Sequence, residues 1–385
     1  HLDHGLNQVI WKLGRSVVEY HSDLPTATLG DCSGMATPWA AEYGQMMRER
    51  CCLRAALEFA RQHGMVIYGR LAMNRHYAPE AHGGAFTSRW AASHPDFRET
   101  SFEGKPDSSR LCYALPEVRA ERLDLLLEAA RIGVDGLQLD FCRQPPIARY
   151  HPELVSSFQR SGGGDPRSPD PWEGPGFAAW VAHRASYITA LLRELQRGLE
   201  PLRQATGRAI PVQVRVTDNG PPIDLIAGLD IATWCAEGLI QELAVSSLNW
   251  LAEFQEHDLR PYVELGRATG VKVYGGVNAL ALQRRAGSLP APDERSPVRL
   301  AERALRQYEA GADGMTLYQS DYAVWPEDLW PILPLLGDPA ALADFATDPA
   351  HRHRWPLTWR NLSYGLDNHG LPRAHYHLGD GGPRV

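Results

Sequence analysis

Gly133-Val134-Asp135-Gly136-Leu137-Gln138-Leu139-Asp140-Phe141-Cys142-Arg143 is the stretch whose reading decides the fold. Gly133 follows an amphipathic run with apolar residues at Leu123, Leu126, Leu127 and Ala130, and glycine accepts the left-handed backbone that closes a helix. From Gly136 to Phe141 the pattern changes period. Leu137, Leu139 and Phe141 alternate with Gln138 and Asp140, as in a strand with one apolar and one polar face.

The same junction recurs outward along the chain, at His63-Gly64-Met65-Val66, Thr269-Gly270-Val271 and Ala310-Gly311-Ala312-Asp313-Gly314. Helical periodicity also marks Leu53/Ala56/Leu57/Ala60, Ile188/Leu191/Leu192/Leu195 and Ala301/Ala304/Leu305/Tyr308. Short strand-like runs lie at Gln8–Leu13, Met65–Met73, Gly136–Phe141, Ile210–Val216, Glu242–Ser247, Val271–Val277 and Gly314–Tyr318. Repeated βα units imply a parallel sheet, and no GxGxxG or Walker A run follows any strand. The expected fold is therefore α/β, a (β/α)8 TIM barrel whose first strand is missing or irregular. Residues 1–338 form the barrel, and residues 339–385, rich in His, Pro, Trp and Gly, form a C-terminal extension.

Composition narrows the function classes. The 385 residues carry 39 Lys+Arg against 46 Asp+Glu, a net charge of −7 without a basic block, so nucleic acid is not an expected partner. No window approaches the roughly 18 apolar residues of a membrane helix, so no membrane is expected either. Six cysteines without a CxxC pair call for no disulfide framework, and the closely spaced histidines, His351/His353 and His375/His377, fall in a Pro/Gly-rich tail and on no strand, with no HExxH anywhere, so neither a metal nor another cofactor is expected.

In a barrel the apolar set of a strand faces the helices and the alternate set faces inward. By that parity Gln138, Asp140, Gln213, Arg215, Lys12, Arg70, Lys272, Tyr274, Thr316 and Tyr318 point inside. Only Asp140 and Glu242 supply inward acids. Four inward cations against two acids predict an excess of positive charge, which an acidic sugar would offset. The competing expectation is a buried ion-pair lattice of Arg70, Arg215 and Lys12 with Asp140 and Glu242.

The phrase from Gly133 to Arg143, preceded by Leu115-Pro116-Glu117-Val118-Arg119, resembles a segment of bacterial glycoside hydrolase-like TIM barrels, the family-ten-like group. Further matches are Arg70-Leu71-Ala72-Met73-Asn74-Arg75-His76, Ser93-His94-Pro95-Asp96, Thr233-Trp234-Cys235-Ala236-Glu237-Gly238-Leu239 and Gly314-Met315-Thr316-Leu317-Tyr318, together spanning roughly residues 60 to 320. The resemblance implies sugar chemistry on a poly- or oligosaccharide.

Glycoside hydrolysis ordinarily uses two carboxyl groups, one to protonate the leaving oxygen and one as nucleophile or base. Asp140, at the carboxyl end of its strand, is the first candidate, and Asp218 and Asp321, each following a strand, are candidates for the second. Val271–Val277 ends in Gly275-Gly276-Val277-Asn278, without the glutamate that many retaining barrel glycosidases carry there. Asn74, His76, Arg70, Arg143, Arg215, Trp234, Glu237, Lys272 and Tyr318 are the candidate substrate contacts. Two other functions fit the same residues: a non-catalytic carbohydrate-binding barrel that keeps Asp140 for structure, and a metal-dependent hydrolase or lyase using Asp140 and His76.

Overall fold

The structure is a computed structural model that describes residues 2–352, apart from 36, 75, 79–80, 143–145, 169–173, 247–257, 278–296 and 318–326. The chain divides into two compact units. One comprises Gln8–Arg215 and Pro221–Glu242, and the other His1–Asn7, Val216–Gly220 and the chain from Leu243 onward.

The first unit is built on four parallel strands in the order β1 (Gln8–Gly14), β2 (Val66–Ala72), β5 (Gly136–Asp140) and β6 (Val212–Val216). Between β2 and β5 the chain also forms a short antiparallel hairpin of β3 (Arg98–Thr100) and β4 (Pro106–Leu111). Its Glu103-Gly104 turn brings Ser101 N onto Lys105 O at 2.8 Å. The helices are α1 (Pro38–Glu49), α2 (Cys52–His63), α3 (Arg89–Ser93), α4 (Pro116–Ile132), α5 (Pro152–Arg160), α6 (Gly174–Thr206), α7 (Pro221–Ile226) and α8 (Ile231–Ala236).

Two glycines show why these helices stop where the sequence says. Gly133 caps α4 at φ 119°, and Gly270 caps α9 (Arg260–Thr269) at φ 81°, both in backbone space that a side chain resists. The second unit continues the alternation with β7 (Glu242–Val245), α9, β8 (Lys272–Val277), α10 (Pro297–Glu309) and β9 (Gly314–Leu317). Here β8 pairs with β9 in parallel. Val298, Leu300, Ala301 and Ala304 of α10 bury against Leu342 and Ala346 of α11 (Pro339–Thr347), so the first part of the expected extension is a packed helix.

The result is mixed α/β, with the seven strands read from the sequence arranged in βα order, a TIM-like pattern. No eighth strand of that set lies among the described residues.

The predicted parity holds in the middle of the first unit. Gln138, Asp140, Gln213 and Arg215 are buried, while Leu137, Leu139, Val212 and Val214 are fully buried on the opposite side. Near the strand starts, Tyr68 Oη donates to Glu242 Oε1 at 2.8 Å and Gln213 Nε2 to Glu242 Oε2 at 2.7 Å. Gln138 Nε2 donates in turn to Gln213 Oε1. This polar layer places Glu242 at the end of the strands opposite the candidate site.

Parity fails for both lysines. Lys12 is exposed and pairs with Glu19. Lys272 opens β8, where the side chain reaches solvent, and pairs with exposed Asp313 at 2.9 Å. The inward cations that remain from that set, Arg70 and Arg215, both pair with Asp140. The charge argument for an acidic sugar therefore loses its premise.

Candidate functional site

Candidate residues gather where β2 and β5 end. β2 pairs with β5 so that Ala72 stands opposite Asp140, and the chain beyond each strand continues in step. Met73 N donates to Asp140 O at 3.0 Å, and Asn74 Nδ2 donates to Phe141 O at 3.1 Å. From the other side Tyr113 Oη donates to Met73 O, and His76 N donates to Ser109 O at 2.6 Å. Met73 and Asn74 are thus tied to the end of β5, and His76 to the hairpin.

Asp140 is 1% exposed and surrounded by donors. Arg70 Nε lies 2.7 Å from Oδ2, and a second guanidinium nitrogen of Arg70 also reaches that oxygen. Arg215 approaches both oxygens at 3.2 and 3.3 Å, and Cys142 N donates to Oδ1 at 3.1 Å. Burial alone would raise the carboxyl's pKa. Arg70 and then Arg215 outweigh it and hold the group far below the usual carboxylate range. The two guanidinium groups therefore favour Asp140 as a carboxylate. Of the ion-pair lattice expected as the competitor, Arg70 and Arg215 on Asp140 are present, whereas Lys12 pairs with Glu19 and Glu242 meets Tyr68 and Gln213.

Asn74 and His76 differ in kind. Each is 4% exposed, yet Asn74 Oδ1 and His76 Nδ1 have no hydrogen-bond partner. An amide oxygen only accepts, whereas a neutral imidazole nitrogen accepts or donates according to tautomer. His76 is neutral, since burial, then Arg122, Arg98 and Arg15, push its pKa well below the ordinary value. Leaving such atoms unpaired costs about 1–3 kcal/mol each.

The other candidates separate. Asp218 is half-buried in a turn tied down by Tyr262, whose hydroxyl accepts from Gly220 N at 2.8 Å and donates to Thr217 O at 3.0 Å. Trp234, expected as a stacking surface, is fully buried, with its indole N–H 2.8 Å from Thr189 Oγ1 and its ring against Phe141. Its side chain belongs to the core. Glu237 pairs with Arg193 at 2.5 and 2.7 Å on the surface before β7, on the side where helices run into strands. Trp234 and Glu237 do not join Asn74, His76 and Asp140. Lys272 lies at the start of its own strand. Arg143, Asp321 and Tyr318 lie outside the described residues. Among the described residues, no three His, Cys, Asp or Glu side chains gather as a metal site, and no helix is long and apolar enough to cross a membrane.

Two residues escaped the sequence reading. Tyr113, which supports Met73, carries no pattern that would single it out. Glu99 is fully buried on β3. The Glu103-Gly104 turn between two short polar runs was the available signal for its hairpin.

No protein-family model and no curated protein matches the sequence. Among solved structures, the chain is similar to a beta-galactosidase from the psychrophilic Marinomonas ef1, at TM-score 0.48 and 10% identity over 74% of this chain. The alignment spans about half of that protein, 51% of its length. It is also similar to the glycoside hydrolase domain of PelA from Pseudomonas aeruginosa, at TM-score 0.40 and 14% identity, covering 69% of this chain and 82% of the other. Morphinone reductase in complex with tetrahydroNAD aligns at TM-score 0.39 and 13% identity, covering 90% and 88% of the two chains. The structural neighbours thus include glycoside hydrolases.

Proposed function

We propose that this protein is a carbohydrate-active enzyme that cleaves glycosidic bonds, with Asn74 and His76 at the end of β2 holding sugar hydroxyls. The observation that carries the reading is the pair of unpartnered, buried polar atoms, Asn74 Oδ1 and His76 Nδ1, two residues apart beside the end of β5. A sugar hydroxyl both donates and accepts, so it suits an obligate acceptor next to a neutral imidazole. Charge repulsion does not arise at an uncharged pair, and a neutral sugar suffices.

Hydrolysis by paired carboxyls needs one group ionised and the other able to carry a proton. In this scheme Asp140 is the ionised member, a fixed negative charge framed by Arg70 and Arg215. The proton carrier is to be found by substitution, with Asp218 and Asp321 the candidates the sequence offers, as Arg143 and Tyr318 are for further sugar contacts. Hydrolysis of a panel of chromogenic glycosides and of oligosaccharides tests the scheme, with Asp218→Asn and Asp321→Asn alongside the wild type. Turnover that one of these variants abolishes supports it. Turnover that survives in both removes the carboxyl assignment.

A second reading is favoured by one specific observation, the saturation of Asp140 by Arg70, Arg215 and Cys142 N. There the protein binds carbohydrate without cleaving it, and Asp140 serves the fold. Calorimetric binding of oligosaccharides with no release of product would select it.

A further inference from the structure

Glu99 takes no part in the chemistry above. It is 0% exposed, and neither of its oxygens closes a hydrogen bond of ordinary geometry. The hairpin that carries it is sewn to the segment following β5. Tyr150 N donates to Thr100 O at 3.2 Å, Thr100 Oγ1 to Tyr150 O at 2.5 Å, and the His151 ring Nε2 lies 2.9 Å from Asp96 O. Glu99 sits at that seam, faced by the Cys112 thiol and by the backbone N–H groups of Arg149 and His151. Cys112 and Ala148 belong to an apolar cluster with Leu154, Phe158 and Trp180.

The ionisable groups around the seam come from every element packed on it. β4 contributes Asp107 and Arg110, paired at 2.5 Å, with Cys112 just beyond its end. The segment after β5 contributes Arg149, which reaches Asp107 at 3.1 Å, together with Tyr150 and His151. α6 contributes Arg184, bound to Ala148 O at 2.9 Å and Ile226 O at 2.8 Å. The hairpin's own Arg98 bonds Ala91 O at 3.1 Å. Arg149 favours an ionised Glu99, but burial outweighs it and pushes the carboxyl up to about 7.

We propose that Glu99 is a proton-controlled latch: neutral, it keeps the β3–β4 hairpin closed on the Ile147–His151 segment, and ionised, it releases that seam. The hairpin also supplies Ser109 O to His76 N, so release loosens the support of the candidate site. The latch follows from the packing of the hairpin and holds whatever ligand His76 meets. Its sign is fixed by linkage. A carboxyl whose pKa is raised in the closed state stabilises that state fully at acid pH and loses the contribution as pH rises through about 7.

Amide hydrogen exchange on the intact protein, corrected for intrinsic rates, tests it at about pH 5 and about pH 8. In the wild type, protection over 97–112 and 147–151 falls about tenfold or more at the higher pH, while α4 keeps its protection. Glu99→Gln, the neutral isostere, holds the seam protected at both. Protection independent of pH in the wild type, or the same pH response in Glu99→Gln, overturns the latch. Arg149→Met keeps the test decisive if Glu99→Gln fails to fold. Removing the nearby cation moves the midpoint of the transition to higher pH, and an unmoved midpoint overturns the proposal.

Discussion

Arg70 Nε donates to Asp140 Oδ2 across 2.7 Å, joining β2 to β5 at the point where both strands end. With Arg215 on the far side, two guanidinium groups from the strands flanking β5 share one buried carboxylate. Asp140→Asn leaves two guanidinium groups without their anion, and breaking a buried pair this way costs about 3–5 kcal/mol. Chemical denaturation of the variant reads that loss directly. An unfolding free energy equal to the wild type's would mean that the carboxylate is not needed to hold Arg70 and Arg215.

The same carboxylate sets an acid limit. Its folded pKa is depressed below the unfolded value near 3.9, so its contribution is present above that pH and is lost as pH falls towards the folded value. Melting temperature of the wild type should drop on acidification below about pH 4, and Asp140→Asn should lack that part of the drop. Parallel acid profiles for the two proteins would count against the assignment.

Trp234 is a core residue with a polar handle. Trp234→Phe keeps most of the ring and leaves Thr189 Oγ1 without its donor, at an expected cost of about 1–3 kcal/mol. Carbohydrate affinity should be unaffected once the folded fraction is matched. A loss of affinity at full folding would return the indole to the binding surface.

Lys272 makes an exposed pair with Asp313, and such pairs contribute about 0–1 kcal/mol. Lys272→Ala should change neither stability beyond that range nor the ratio of binding between a glucuronide and the matching glucoside. A selective fall for the glucuronide would revive an acidic sugar.

Much of this was legible from residues alone. Helix ends at Gly133 and Gly270 follow from one glycine property, and alternation in Gly136–Phe141 correctly buries Gln138 and Asp140. Alternation gives the side of a strand, not its depth, and this is where the reading stops. Lys12 and Lys272 obey the period, yet water reaches them. Trp234 and Glu237 were both read as substrate contacts. One turn of helix sends the indole into the core and leaves the carboxylate on the surface. Glu99 was invisible because its burial comes from segments about 10 and 50 residues away, Cys112 and Arg149–His151, which no local pattern brings together.

The central claim is that Asn74 and His76 hold the hydroxyls of a glycoside that the protein cleaves. The most direct measurement is kcat/KM for the best substrate of a glycoside panel, compared between the wild type and Asn74→Ala at equal folded fraction. Loss of a buried hydrogen bond to substrate predicts a fall of about tenfold or more, equivalent to about 1.4 kcal/mol, with His76→Ala falling likewise. Absence of turnover on every glycoside, or an Asn74→Ala variant as active as the wild type, would contradict the account.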